Sequence, residues 1–136
     1  MLLHWTHQNG TSVDFMVPKK RGQKRNVLSS DFGLFHYLLK FNSSGRLTIS
    51  PGHKTEIDFE TMGRHILALD DAARDNGLRI RKLLFNTRLL DKLFSTAAGE
   101  EILRRDIFIP RRLNDLVNRF HDDHYHVDFE WIEEER

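Results

Sequence analysis

A chain that gathers its histidines at both ends can use them together only if its fold brings those ends into contact. His121, His124 and His126 fall within six residues near the end, and His4 and His7 stand near the start. Five of the eight histidines therefore lie in two short segments, with roughly a hundred residues between them. On a strand, side chains at i and i+2 share one face, so His124 and His126 point one way while Tyr125 and Val127 point the other. At the opposite end, Gly10 permits a sharp turn between His7 and Asp14 that returns the carboxylate toward the imidazole. Imidazole is the commonest side-chain ligand for a divalent transition metal, and a carboxylate often completes such a site. Two histidines, one aspartate and an open fourth position describe a catalytic zinc site, because a structural site normally fills all four. Zinc so held lowers the pKa of a bound water to about 7 and polarises a carbonyl oxygen.

The remaining composition narrows the possibilities. A chain of 136 residues makes about one domain and buries enough surface to fold without staples. Twenty-one basic residues against twenty acidic ones leave a net charge of +1, so no global field favours nucleic acid or an anionic membrane. Cysteine is absent, which excludes disulfides and thiolate ligands. No apolar run is long enough to span a membrane. Basic residues cluster at Lys19 to Arg25, Arg79 to Lys82 and Arg104 to Arg112, and are read as solvated loops and element ends. His36, His53 and His65 are read as ordinary histidines.

Periodicity supplies the elements. Ser12 to Val17 reads as a short strand with Asp14 at its middle and Pro18 at its end, followed by a basic loop from Lys19 to Arg25. Phe32 to Phe41 and Arg46 to Ser50 read as a hairpin around the turn Asn42-Ser43-Ser44-Gly45. Phe59, Met62, Ile66, Leu69 and Ala73 line one face of a helix, with Asp58 as N-cap and Asn76-Gly77 as the stop. Leu78 to Asn86 is expected to be a buried strand. Arg88 to Ala98 is expected to be a short helix closed by Gly99, with a second over Arg111 to Phe120. His124 to Ile132 is the final strand, ahead of a frayed acidic tail from Glu133. The expected fold is α+β, a small and mostly antiparallel sheet with helices packed on one side.

The spacing His, six residues, Asp, then a distant His-x-His is met here by His7, Asp14 and His124-Tyr125-His126. In this the chain resembles the penicillin-insensitive murein endopeptidases, one branch of the LAS-type zinc peptidases that also include D-alanyl-D-alanine peptidases and the hedgehog domain. The endopeptidase branch is the more similar, because it carries a histidine three before the first ligand and another three before the His-x-His. His4 and His121 occupy those places. The run from His7 to Phe15 looks like that branch's first motif, and the likeness extends over Ile57-Asp58-Phe59-Glu60 and Lys82-Leu83-Leu84-Phe85-Asn86 to nearly the whole chain.

The resemblance implies a zinc-peptidase fold over residues 1–136 as a single domain, with zinc held by His7, Asp14 and His126. It further implies that His124 acts as general base or stabilises the tetrahedral intermediate, with Asp123 as the alternative base. His121 and His4 would be outer groups that contact substrate or orient the water. The implied reaction is hydrolysis of peptide cross-links of the D-alanyl–diaminopimelyl type in peptidoglycan stem peptides, in a periplasmic or secreted setting. The alternative is a zinc-containing cell-wall or protein-binding module without hydrolysis. Only three residues precede His4, so the natural protein is expected to begin further upstream, with a supporting segment that carries an export signal.

Overall fold

A computed structural model describes residues 11–21, 24–25, 55–120 and 123–133 of the chain. Ten elements lie in them: β1 (Ser12–Met16), β2 (Lys19–Arg21), β3 (Lys24–Arg25), β4 (Thr55–Ile57), α1 (Phe59–Asp75), β5 (Leu78–Leu84), α2 (Leu90–Phe94), α3 (Ala97–Arg104), α4 (Asp115–Phe120) and β6 (His124–Trp131). The architecture is α+β. Its main sheet is antiparallel in the order β1-β6-β5, and a second small sheet runs β3-β2-β4. The strand that carries the terminal histidines is thus the central one, with the strand that carries Asp14 directly beside it.

The long helix forms where the apolar spacing places it. Asp58 caps it by accepting from the Thr61 backbone N–H at 3.1 Å and from the Thr61 hydroxyl at 2.8 Å. It ends at Asn76, and Gly77 follows with φ of 75°, a conformation that favours glycine. Met62 and Ile66 are buried completely against Ile80, Leu83, Tyr125 and Val127, and each contributes about 1.5–3 kcal/mol by leaving water. Alternation along β6 sends Tyr125 and Val127 into this core and turns His124, His126 and Asp128 to the other face. Asp70, buried on α1, accepts from the Ile80 N–H and from Arg74 and Arg105, each at 2.9 Å, tying the helix to β5. Burial alone would raise the Asp70 carboxyl, but these three donors outweigh it and hold it below the usual carboxylate range.

Three expectations need correction. Lys19 to Arg25 is not a basic loop: it forms β2 and β3, and β2 pairs with β4 through Lys19↔Ile57 and Lys20↔Glu56. Its first lysine is drawn inside the protein rather than solvated. The helix expected over Arg88 to Ala98 is two helices with a break between them. Thr96 is extended, its hydroxyl donates to the Leu93 carbonyl at 2.6 Å, and it caps α3 by accepting from the Gly99 N–H at 2.9 Å. Gly99 therefore lies in the first turn of α3, where a Cβ would stand 1.9 Å from the Leu93 carbonyl oxygen. The second short helix begins only at Asp115, because Asn114 accepts from the Val117 N–H at 2.8 Å and starts it there. The expected hairpin at Phe32 to Ser50 and the tail beyond Glu133 lie outside the described residues. No helix among the described residues is long and apolar enough to cross a membrane.

Candidate metal centre

The register of β1 on β6 sets Asp14 opposite His126, Ser12 opposite Asp128 and Met16 opposite His124. Directly paired residues on one face bring their side chains together, and here they meet in a chain of contacts. His126 Nδ1 lies 2.8 Å from Asp14 Oδ1, and His126 Nε2 lies 2.7 Å from Asp128 Oδ1. Asp128 is flanked on the neighbouring strands by Ser12, whose hydroxyl donates to it at 2.5 Å, and by Lys82, whose ammonium stands 3.0 Å away. Arg81 reaches the same carboxylate at 3.3 Å. His126 and Asp128 are buried, while the Asp14 side chain keeps 31% of its surface open.

The protonation chemistry of this arrangement is constrained. A neutral imidazole offers one N–H and one lone pair, so it can serve only one of two flanking carboxylates. The second contact places a lone pair against an anionic oxygen unless a positive charge stands there. At 2.8 Å the two atoms stand at hydrogen-bond distance, and a proton on Nδ1 makes the ring an imidazolium. Burial would lower the His126 pKa, but hydrogen bonds to Asp14 and Asp128 outweigh it and raise it above the ordinary value. Burial likewise would raise the Asp128 carboxyl, but Ser12, Lys82 and His126 bring it down to about 2. The ring so protonated donates from Nε2 to Asp128 and from Nδ1 to Asp14. A carboxylate behind a histidine that faces a second oxygen donor is the arrangement by which proteins orient a metal ligand. Asp14 and His126 are of the residue types that bind zinc.

Of the expected site residues, Asp14, Asp123, His124 and His126 are described, and the sheet gathers them at one end of β1 and β6. His4, His7 and His121 lie outside the described residues. Among the described residues no group of three His, Cys, Asp or Glu could hold an ion. His124 Nδ1 is 2.8 Å from Asp123 Oδ1, and Asp123 is buried. An ionised carboxylate only accepts, so the ring donates from Nδ1 and leaves Nε2 as its other face.

Asp128 was not among the residues singled out from the sequence. Period-two spacing could have found it, since His124, His126 and Asp128 continue one face of a single strand. Lys19 and Lys82 were hidden inside runs read as solvated. His65, read as ordinary, has its Nδ1 2.5 Å from the Tyr125 hydroxyl on the opposite face of the sheet, where Phe15 stacks on Tyr125. Burial lowers the His65 pKa and raises that of Tyr125. An open pocket of about 320 Å³ lies on this helix side and one of about 590 Å³ against Leu69, Leu78 and Phe129. Neither is lined by Asp14, His124 or His126.

The chain matches no protein-family model, no curated protein and no solved structure.

Proposed function

We propose that this chain is the catalytic domain of a zinc-dependent peptidoglycan endopeptidase that hydrolyses D-alanyl–diaminopimelyl cross-links between stem peptides outside the cytoplasm. The observation that carries the reading is the cross-strand contact of Asp14 with His126, with Asp128 fixing the imidazole from behind. These are two of the three ligands that the murein endopeptidase resemblance implies, and His7 would be the third. When bound, zinc supplies a nucleophile at neutral pH and polarises the scissile carbonyl.

The chain's own residues divide the remaining work. Asp128 holds the Nε2 proton of His126, so Nδ1 is the nitrogen that would bind zinc on giving up its proton. Asp123 holds His124 through Nδ1, so His124 Nε2 is the nitrogen that would take a proton in the attack and return it to the leaving amine. Burial of Asp123 behind His124 supports His124 rather than Asp123 as the base, since a base must reach the group it deprotonates. This Asp123–His124 pair also favours hydrolysis over a binding module, because a zinc that served only structure would need neither.

The test is hydrolysis of cross-linked muropeptides by the zinc-loaded chain. His124→Ala should lower kcat by about 10²–10⁴-fold with zinc retained, whereas His126→Ala should lose both zinc and activity. A folded, zinc-loaded chain that binds muropeptide without cleaving it would overturn the enzyme reading in favour of the binding module. An active His124→Ala beside an inactive Asp123→Ala would move the base to Asp123.

A further inference from the structure

A β-bulge costs a strand its regular pairing, and bulges recur beside functional sites, where they re-aim a side chain. The pairing of β5 with β6 slips at Arg81: Ile80 stands opposite Phe129 and Lys82 opposite Asp128, so Arg81 is the extra residue. Without the slip, Lys82 would stand opposite Val127 and turn into the core. With it, Arg81 and Lys82 both reach the face that carries Asp14, His126 and Asp128. The bulge is pinned from the outer side of β5. The Phe108 N–H donates to the Arg81 carbonyl at 2.9 Å, and the Leu83 N–H donates to the Phe108 carbonyl at 3.0 Å.

The two cations share one carboxylate. Lys82 Nζ stands 3.0 Å and Arg81 Nη2 3.3 Å from Asp128 Oδ2, while Ser12 and His126 take Oδ1. Asp128 is thus fully engaged, and Arg81 is the farthest of its partners. Arg79, two residues back, has Glu130 at 2.6 Å and Asp106 at 2.9 Å to itself. Among the described residues Arg81 has no second carboxylate, and its side chain is 51% exposed. One positive charge on this face therefore lacks an anion of its own. It sits on a planar fork whose N–H groups match the geometry of a carboxylate. We infer that Arg81 is a substrate-binding residue, which takes a carboxylate of the ligand beside the candidate metal centre. Arg81 and His126 hold opposite oxygens of Asp128, which sets the exposed fork next to the face where zinc would bind. Naming the carboxylate rests on the endopeptidase reading given above. In a D-alanyl–diaminopimelyl cross-link, the carbon attached to the scissile nitrogen also bears a free carboxylate, and that is the group Arg81 would hold.

The experiment uses two cross-linked peptides that differ only at this diaminopimelyl carboxylate, free in one and a carboxamide in the other. Calorimetry and the NMR signal of the Arg81 Nε–H read binding to the complete chain, and hydrolysis with zinc present reads turnover. The wild-type chain should bind the carboxylate peptide about tenfold or more tightly, with the Arg81 signal shifting for that peptide alone. In Arg81→Gln the two peptides should bind alike, whereas Arg81→Lys should keep part of the preference, since it keeps the charge without the fork. Zinc content should be the same in all three proteins. A loss of zinc in Arg81→Gln would make Arg81 a support for His126 and overturn the inference. Equal binding of the two peptides by the wild type, or a preference undiminished in Arg81→Gln, would overturn it as well, and the peptidase reading would survive wherever both peptides are cut. A preference that Arg81→Gln abolishes, in a zinc-loaded chain that cuts neither peptide, would sink the peptidase reading and leave the inference standing. A chain that binds neither peptide overturns both. Should Arg81→Gln fail to fold, the wild-type preference and its Arg81 signal decide.

Discussion

Replacing Asp128 by Asn removes the charge behind His126 and keeps its shape. The Asp128 carboxylate serves four donors at once: Ser12 Oγ, His126 Nε2, Lys82 Nζ and Arg81 Nη2. An asparagine oxygen can still accept from Ser12 and His126, but its amide N–H groups then face the lysine and arginine donors. The carboxyl titrates at about 2 in the fold against an ordinary 3.8. At about 1.4 kcal/mol per pKa unit that gap is worth about 2.5 kcal/mol of stability. Because the native pKa is the lower one, this stability is complete above 3.8 and is lost as the pH falls through about 2. Asp128 is only 2% exposed, so water screens little of it. Urea unfolding of the metal-free proteins from neutral to acid pH should show the Asn variant less stable by about 2–3 kcal/mol near neutrality. The two curves should converge as the wild-type carboxyl protonates. A gap below about 0.5 kcal/mol, within the range of ordinary surface substitutions, would refute the reasoning. A gap that stays constant into acid would do so as well.

Asp70→Ala should cost about 1–3 kcal/mol in chemical unfolding, because it leaves the buried Ile80 N–H without its acceptor, while Arg105 keeps Asp71. Gly99→Ala should be worse than about 4 kcal/mol or yield no folded protein, since its Cβ would meet the Leu93 carbonyl oxygen at 1.9 Å; circular dichroism melts decide it. Lys19 titrates at about 8 in the fold and at 10.5 when free, so the unfolded chain binds more protons in that window. Its contribution therefore makes the fold more stable as the pH rises from about 8 to about 10.5, and Lys19→Met should lack that gain in urea titrations.

What the sequence disclosed depended on which interactions are local. The helix from Phe59 was legible at both ends because its apolar spacing, its Asp58 cap and its Asn76-Gly77 stop all lie in neighbouring residues. Strands Ser12–Met16, Leu78–Leu84 and His124–Trp131 were legible by composition and alternation. The order β1-β6-β5 was not, since a pairing of Asp14 with His126 joins residues that no local pattern relates. The break at Thr96 was missed because Gly99 reads as a helix stop when nothing reveals how close the Leu93 carbonyl passes. Lys19 was misread for a similar reason. A lysine in a basic run is normally solvated, and only the pairing of β2 with β4 carries this one inside. At the site, the motif pointed to Asp14 and His126, whereas the roles of Asp128, Lys82 and Ser12 arise from three strands lying side by side.

Zinc binding by the purified chain tests the central claim most directly. Titration of the metal-free protein followed by calorimetry and elemental analysis should give about one zinc per chain, with tight binding lost in Asp14→Ala and in His126→Ala while both variants remain folded. A folded wild-type chain that takes up no zinc at saturation, or that binds it equally well without Asp14 and His126, would contradict the account.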